Sequence, residues 1–151
     1  AVRRGDQDIY AAPVLREYQD GRQELLKPFR PLWWYHFKIP FRHQGTLVHR
    51  RVFKRIGLFN TRYAIAMDYD FFYRALQIKP SIIYERHPLA IMGADGIGSR
   101  KSTTLKRLDE EFSVQTSNEA NPFWKVVQLV YRSVYRPYKK GVIASGRKAP
   151  S

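Results

Sequence analysis

The stretch AIAMDYDFFYRAL (residues 64–76) sets two aspartates two positions apart at the head of an aromatic, apolar run. The run is closed by Lys79-Pro80, and proline bars continuation, so a helix is expected over 68–78. On a helix, positions i and i+2 point about 200° apart, so Asp68 and Asp70 cannot both chelate one metal ion. Local spacing gives each a plain use. Asp68 caps the helix, while Asp70 complements the positive helix end and pairs with Arg74 at i+4.

Working outward, GTLVH (45–49) suits a short strand. RRVFKRIG (50–57) sets Val52, Phe53 and Ile56 at helical spacing with Gly57 as the stop. Before them, LKPFRPLWWYHFKIPF (26–41) carries three prolines that bar a long helix, leaving a short helical turn near 32–37 or a packed loop. A strand near 9–15 followed by the Gln19-Asp20-Gly21 turn predicts a hairpin. After the central helix, SIIYE (81–85) and PLAIM (88–92) are strand-like, and GADGIGSRKSTT (93–104) reads as a mobile loop. A polar helix over 104–114 carries Asp109, Glu110 and Glu111, and TSNEANP (116–122) reads as a linker.

The last helix is the clearest periodic signal: Asn121 caps it, Pro122 suits its first turn, and Pro137 is expected to end it near Tyr135. Lys125, Arg132 and Arg136 fall on one face, and Phe123, Val127, Val130, Tyr131 and Val134 on the other. Such a basic amphipathic helix either lies in the surface of an anionic membrane or packs its apolar face on the domain, and both readings stand.

Composition bounds the function. The 151 residues suffice for one domain, and 44% hydrophobic with 15% aromatic content excludes a disordered chain. With zero cysteines there are no disulfides, thiol nucleophiles or cysteine zinc sites. The four histidines, at 36, 43, 49 and 87, have no metal-ligand spacing. No apolar run is long enough to span a bilayer. The net charge of +14 predicts acidic partners and is concentrated in two blocks: nine Lys or Arg against no acid over 25–67, and seven against none over 120–151. Arg50, Arg51, Lys54 and Arg55 either meet phosphate or form the solvated face of a helix.

Read whole, PFRHQGTLVHRRVFKRIGLFNTRYAIAMDYDFFYRAL (40–76) resembles the C-terminal half of the catalytic domain of family 2 glycosyltransferases, bacterial inverting enzymes that build polysaccharides and lipid-linked sugars. The resemblance rests on P-F-x-H-Q, a strand, a basic helix, then G-x-F-[DN]-x-x-[FY] leading into D-Y-D-[FLM] and Arg. It extends weakly to Gly5-Asp6 and to Gly96-Ile97-Gly98-Ser99. It implies an α/β fold, part of a GT-A-like mixed sheet with flanking helices, over 1–118, followed by a basic amphipathic helix and disordered tail over 119–151.

The implied reaction transfers a sugar, with inversion, from a nucleotide-sugar donor to a saccharide or lipid-linked acceptor. By position Asp68 is its general base, and His43, Gln44, Asp70, Arg74, Gly96 and Ser99 are the implied substrate-binding residues. On local spacing His43 serves equally as a cap or backbone bridge in a packed turn. A divalent metal (Mg or Mn) is implied on the diphosphate. The family's nucleotide-binding strand and D-x-D motif have no counterpart before Gly5, so its main ligands, and most of the donor site, are expected outside this chain. The implied location is cytoplasmic, at the inner face of the membrane. Two other readings remain open: an inactive glycosyltransferase remnant, and a non-catalytic basic module in which Trp33, Trp34, Tyr35 and Phe37 stack on nucleic-acid bases or the cations meet an anionic membrane. No recognised nucleic-acid motif accompanies those rings.

Overall fold

The computed structural model describes residues 7–28, 31–94 and 103–145. Its strands are short and form two three-stranded mixed sheets. In the first, β1 (Ile9–Ala11) runs between antiparallel β4 (Thr46–Val48) and parallel β5 (Ile82–Tyr84). In the second, β2 (Val14–Glu17) runs between antiparallel β3 (Gln23–Leu26) and parallel β6 (Ala90–Gly93).

The single strand expected over 9–15 is therefore two, divided at Ala12-Pro13. Pro13 has no N–H to give a ladder; its carbonyl accepts from Leu89, while the Ala12 N–H donates to the Gly45 carbonyl at 2.8 Å. The neighbouring chain divides at the same level, through Arg86-His87-Pro88. Ile9 and Val14 lie opposite Ile82 and Ala90, so a step of five residues on one segment faces a step of eight on the other. The hairpin forms as expected, with Gly21 in the left-handed region at φ 79°.

Helix α1 (Arg50–Ile56) starts where the His49 ring accepts from the Arg51 N–H and stops at Gly57, φ 82°. Helix α2 (Met67–Gln77) is the hub. Its Phe71, Phe72, Ala75 and Leu76 pack with Ile9, Ala11, Phe41 and Val52, and its Tyr69 and Tyr73 pack with Tyr63, Ala66 and Val114. A helix covered on both sides buries residues nearly all round, as α2 does from Tyr69 to Tyr73 and at Ala75 and Leu76.

Helix α3 (Thr104–Asn118) takes up the first residues of the expected linker, leaving Glu119, Ala120 and Asn121 before α4 (Pro122–Ala144). Asn121 caps α4 by accepting from the Phe123 N–H, but Pro137 does not end it. Contacts within the helix span the proline: Tyr131 stacks on Tyr135 at 4.8 Å, Tyr138 lies 6.3 Å from Tyr135, and Lys139, like Lys38 from outside the helix, sits 5.3 Å from the Tyr135 ring. Pro137 is exposed, so water can satisfy the carbonyl it leaves unbonded. Among the described residues no helix is long and apolar enough to cross a membrane.

Candidate functional site

Asp68 occupies the second position of α2, not its cap. The cap position is Ala66, and the amides of Ile65 and Ala66, which have no helical partner, donate instead to the Glu110 carboxylate of α3, at 2.7 and 2.9 Å. A side chain from another element thus does the capping that local spacing assigned to Asp68. Asp68 turns toward the turn over His43–Gly45: its Oδ2 lies 3.0 Å from His43 Nδ1, and its Oδ1 accepts from the Tyr69 N–H at 2.7 Å. The Asp68 side chain is 29% exposed and that of His43 51%. The pair is a half-open carboxylate and imidazole at the protein surface.

Gly45 seats this turn. A Cβ there would come within 2.6 Å of the Ala12 carbonyl oxygen and 2.7 Å of Val14 Cγ2. Only glycine lets the turn approach the β1–β2 junction so closely. That junction and α2 together fix the two partners, although 43 and 68 are far apart in the chain. Gln44 is exposed beside them.

Asp70 and Arg74 belong to a different environment. Asp70 is 2% exposed; its Oδ2 accepts from Arg74 Nε and Nη2 at 2.9 and 2.7 Å, and its Oδ1 from Asn118 Nδ2 at 3.0 Å. Arg74 also donates to the carbonyls of Ile56 and Leu58, tying α2 to the end of α1. The i+4 pair forms as the spacing predicts, and Asp68 and Asp70 point to opposite sides. The geometry gives Asp70 and Arg74 the task of holding the helix. Gly96 and Ser99, with Gly5 and Asp6, lie outside the described residues.

Glu111 is the residue that sequence reasoning passed over, as one of an acidic trio on a polar helix. Burial pushes its carboxyl above the usual range; Arg107 and Lys38 oppose this, and the charge of Asp68 adds to it. A second carboxylate therefore senses Asp68. Of the other two, Glu110 caps α2 and Asp109 pairs with Arg136 at 2.8 Å.

Arg51 bonds Asp8 at 2.6 Å, whereas Arg50, Lys54 and Arg55 are exposed, the solvated face that was one of two readings for this run. Among the described residues no group of three or more His, Asp or Glu side chains could hold a metal ion. The rings offered for base stacking are largely engaged elsewhere: Phe37 is buried, Tyr35 packs on Tyr73, and Trp34 on Phe37, leaving Trp33 as the exposed one. No family model, curated protein or solved structure matches the chain.

Proposed function

We propose that this chain is the acceptor-side part of an inverting glycosyltransferase, with Asp68 as general base and His43 as the residue that positions it. The observation that carries the reading is the 3.0 Å contact between His43 Nδ1 and Asp68 Oδ2. It joins two side chains put forward from separate parts of the resemblance, the P-F-x-H-Q turn and the D-Y-D helix.

The chemistry follows from that geometry. Oδ1 of Asp68 accepts one protein hydrogen bond, from the Tyr69 N–H, and Oδ2 meets His43 Nδ1 as an ion-pair contact, so both oxygens keep a lone pair for a further partner. An acceptor hydroxyl bound there gives its proton to Asp68 as its oxygen bonds to the anomeric carbon, and the nucleoside diphosphate leaves from the opposite face. His43 Nδ1, 3.0 Å from Oδ2, holds the carboxylate toward the acceptor. The divalent ion implied by the resemblance would neutralise the diphosphate; the described residues offer it no ligand set, and no step here runs through it.

The test is Asp68→Asn in the full-length enzyme, followed by nucleoside-diphosphate release from a panel of nucleotide sugars. A general base contributes roughly 10²–10⁴-fold, so kcat is expected to fall by at least about a hundredfold with the donor KM nearly unchanged. Loss of donor affinity at unchanged kcat would reassign Asp68 to donor binding or structure.

A further inference from the structure

The apolar face of α4 is divided, part of it packed on the protein and part turned away from it. Trp124, Gln128, Tyr131 and Tyr135 face inward: Trp124 stacks on His36 at 4.0 Å, Gln128 Nε2 donates to the His36 carbonyl at 2.9 Å, and Tyr131 meets Phe37 at 4.9 Å. Phe123, Val126, Val130 and Val134 are left 64%, 60%, 59% and 67% exposed, with Leu129 at 61% and Tyr138 at 49%. Spaced three or four residues apart, they make one apolar stripe about 22 Å long. Trp33, 49% exposed, extends it at the N-terminal end by stacking on Trp124.

We propose that this stripe docks α4 on an anionic lipid bilayer. Charge selects that occupant. At about 100° per residue, Lys125, Arg136 and Lys140 border the stripe on its Leu129 side. Arg136 is answered by Asp109, while among the described residues no ion pair engages Lys125 or Lys140. No acidic residue occurs over 120–151. Valines and phenylalanine enter the acyl boundary, lysine stems reach from its edge to lipid phosphates, and Trp33 and Tyr138 suit the headgroup level. A second copy is a poorer fit, because a two-fold interface through the stripe would bring Lys125 and Lys140, which border it, close to the same two lysines of the other copy.

The experiment is co-sedimentation of the full chain with vesicles of phosphatidylcholine alone, or with about 30% phosphatidylglycerol, at about 50 and 500 mM salt, a change that shortens screening about threefold. It reads binding and needs no transferase activity. The expected result is pelleting with anionic vesicles only, released by salt. Lys125→Gln and Lys140→Gln should each weaken binding about fivefold, and Val130→Asp/Val134→Asp at least about tenfold. All four side chains lie outside the core, so circular-dichroism melts should match the parent. Equal pelleting with neutral vesicles, or indifference to the double valine variant, overturns the proposal. A doubled mass in light scattering that the same variant abolishes would assign the stripe to a second copy.

Discussion

His43 lies half exposed in a surface turn, yet one ring nitrogen is already committed to Asp68, and what commits it is a glycine two residues away. Adding a methyl at Gly45 drives it into a backbone carbonyl, which cannot rotate aside as a side chain can. Gly45→Ala should therefore cost about 1–3 kcal/mol, read as a lower denaturation midpoint at unchanged slope. It should also lower kcat in the assay proposed above, because the turn that carries His43 must shift. An unchanged midpoint would mean that the turn yields freely and that Gly45 is no seat for the site. His43→Gln, which keeps a donor, should retain more activity than His43→Ala; equal losses would deny His43 a positioning role. His43 and Asp68 each stood out in the sequence as polar residues at the edge of apolar motifs. Their contact did not, because it is made by the β1–β2 junction and α2 converging, and no local spacing encodes that. Glu111 was invisible for a related reason: helical periodicity shows it among polar neighbours, while burial comes from elements packed over it.

Helix α2 owes its legibility to local agreement, since its apolar content, its i+4 ion pair and the Lys79-Pro80 stop all point to the same element. Its anchor is less obvious. Arg74 joins the buried Asp70 to the carbonyls that end α1, so Arg74→Ala should lower stability by roughly 3 kcal/mol or more, because it leaves Asp70 buried beside Asn118 alone. Chemical denaturation measures it; a loss below about 1 kcal/mol would show the pair to be as weak as a surface one. Helix α4 shows what periodicity leaves open. Periodicity puts Phe123, Val130, Tyr131 and Val134 on one face without saying what covers it; Tyr131 packs inward, the other three are exposed, and the inward side is completed by Gln128, Trp124 and Tyr135. What sets the inward side is a polar network. Glu119, from the expected linker, accepts from Tyr73 Oη at 2.6 Å and from the Asn121 N–H, and meets His36 Nδ1 at 2.7 Å, while Gln128 bridges His36 and Tyr73. Burying these groups is favourable only when all are satisfied together, a condition set by tertiary structure. Strand and turn positions were legible from proline, glycine and β-branched residues; the division of the first strand was not, since Pro13 was read as an interior residue.

Across the whole molecule, the same network should govern how stability depends on pH. Burial lowers the His36 value below 6.5, against the pull of Glu119, so the folded state holds His36 neutral and donating to that carboxylate. Burial also acts to raise Glu119, but the bonds from Tyr73, Asn121 and His36 outweigh it and leave its value lowered. Asp8 is lowered to about 2, chiefly by its Arg51 hydrogen bond. All three folded groups bind fewer protons than the unfolded chain. Their stabilisation is therefore complete above the unfolded values and is lost as pH falls through the folded ones. His36 acts first, below about 6.5; Glu119 and Asp8 follow below about 4.5, the Asp8 part worth about 1 kcal/mol once discounted for the partly exposed Arg51. Glu111 works the other way, because its raised value penalises the folded state as pH rises above 4.5. Tyr73 and Tyr69, raised by burial, set the alkaline limit, with stability lost above about 10. Thermal melts from pH 8 down to 3 should show a first decline that sets in near pH 6.5, and His36→Gln should remove that step while leaving the later one. A profile flat to pH 5, or a first decline that survives in the variant, would mean that His36 is protonated in the folded state and that the α4 contact is held by a charged pair.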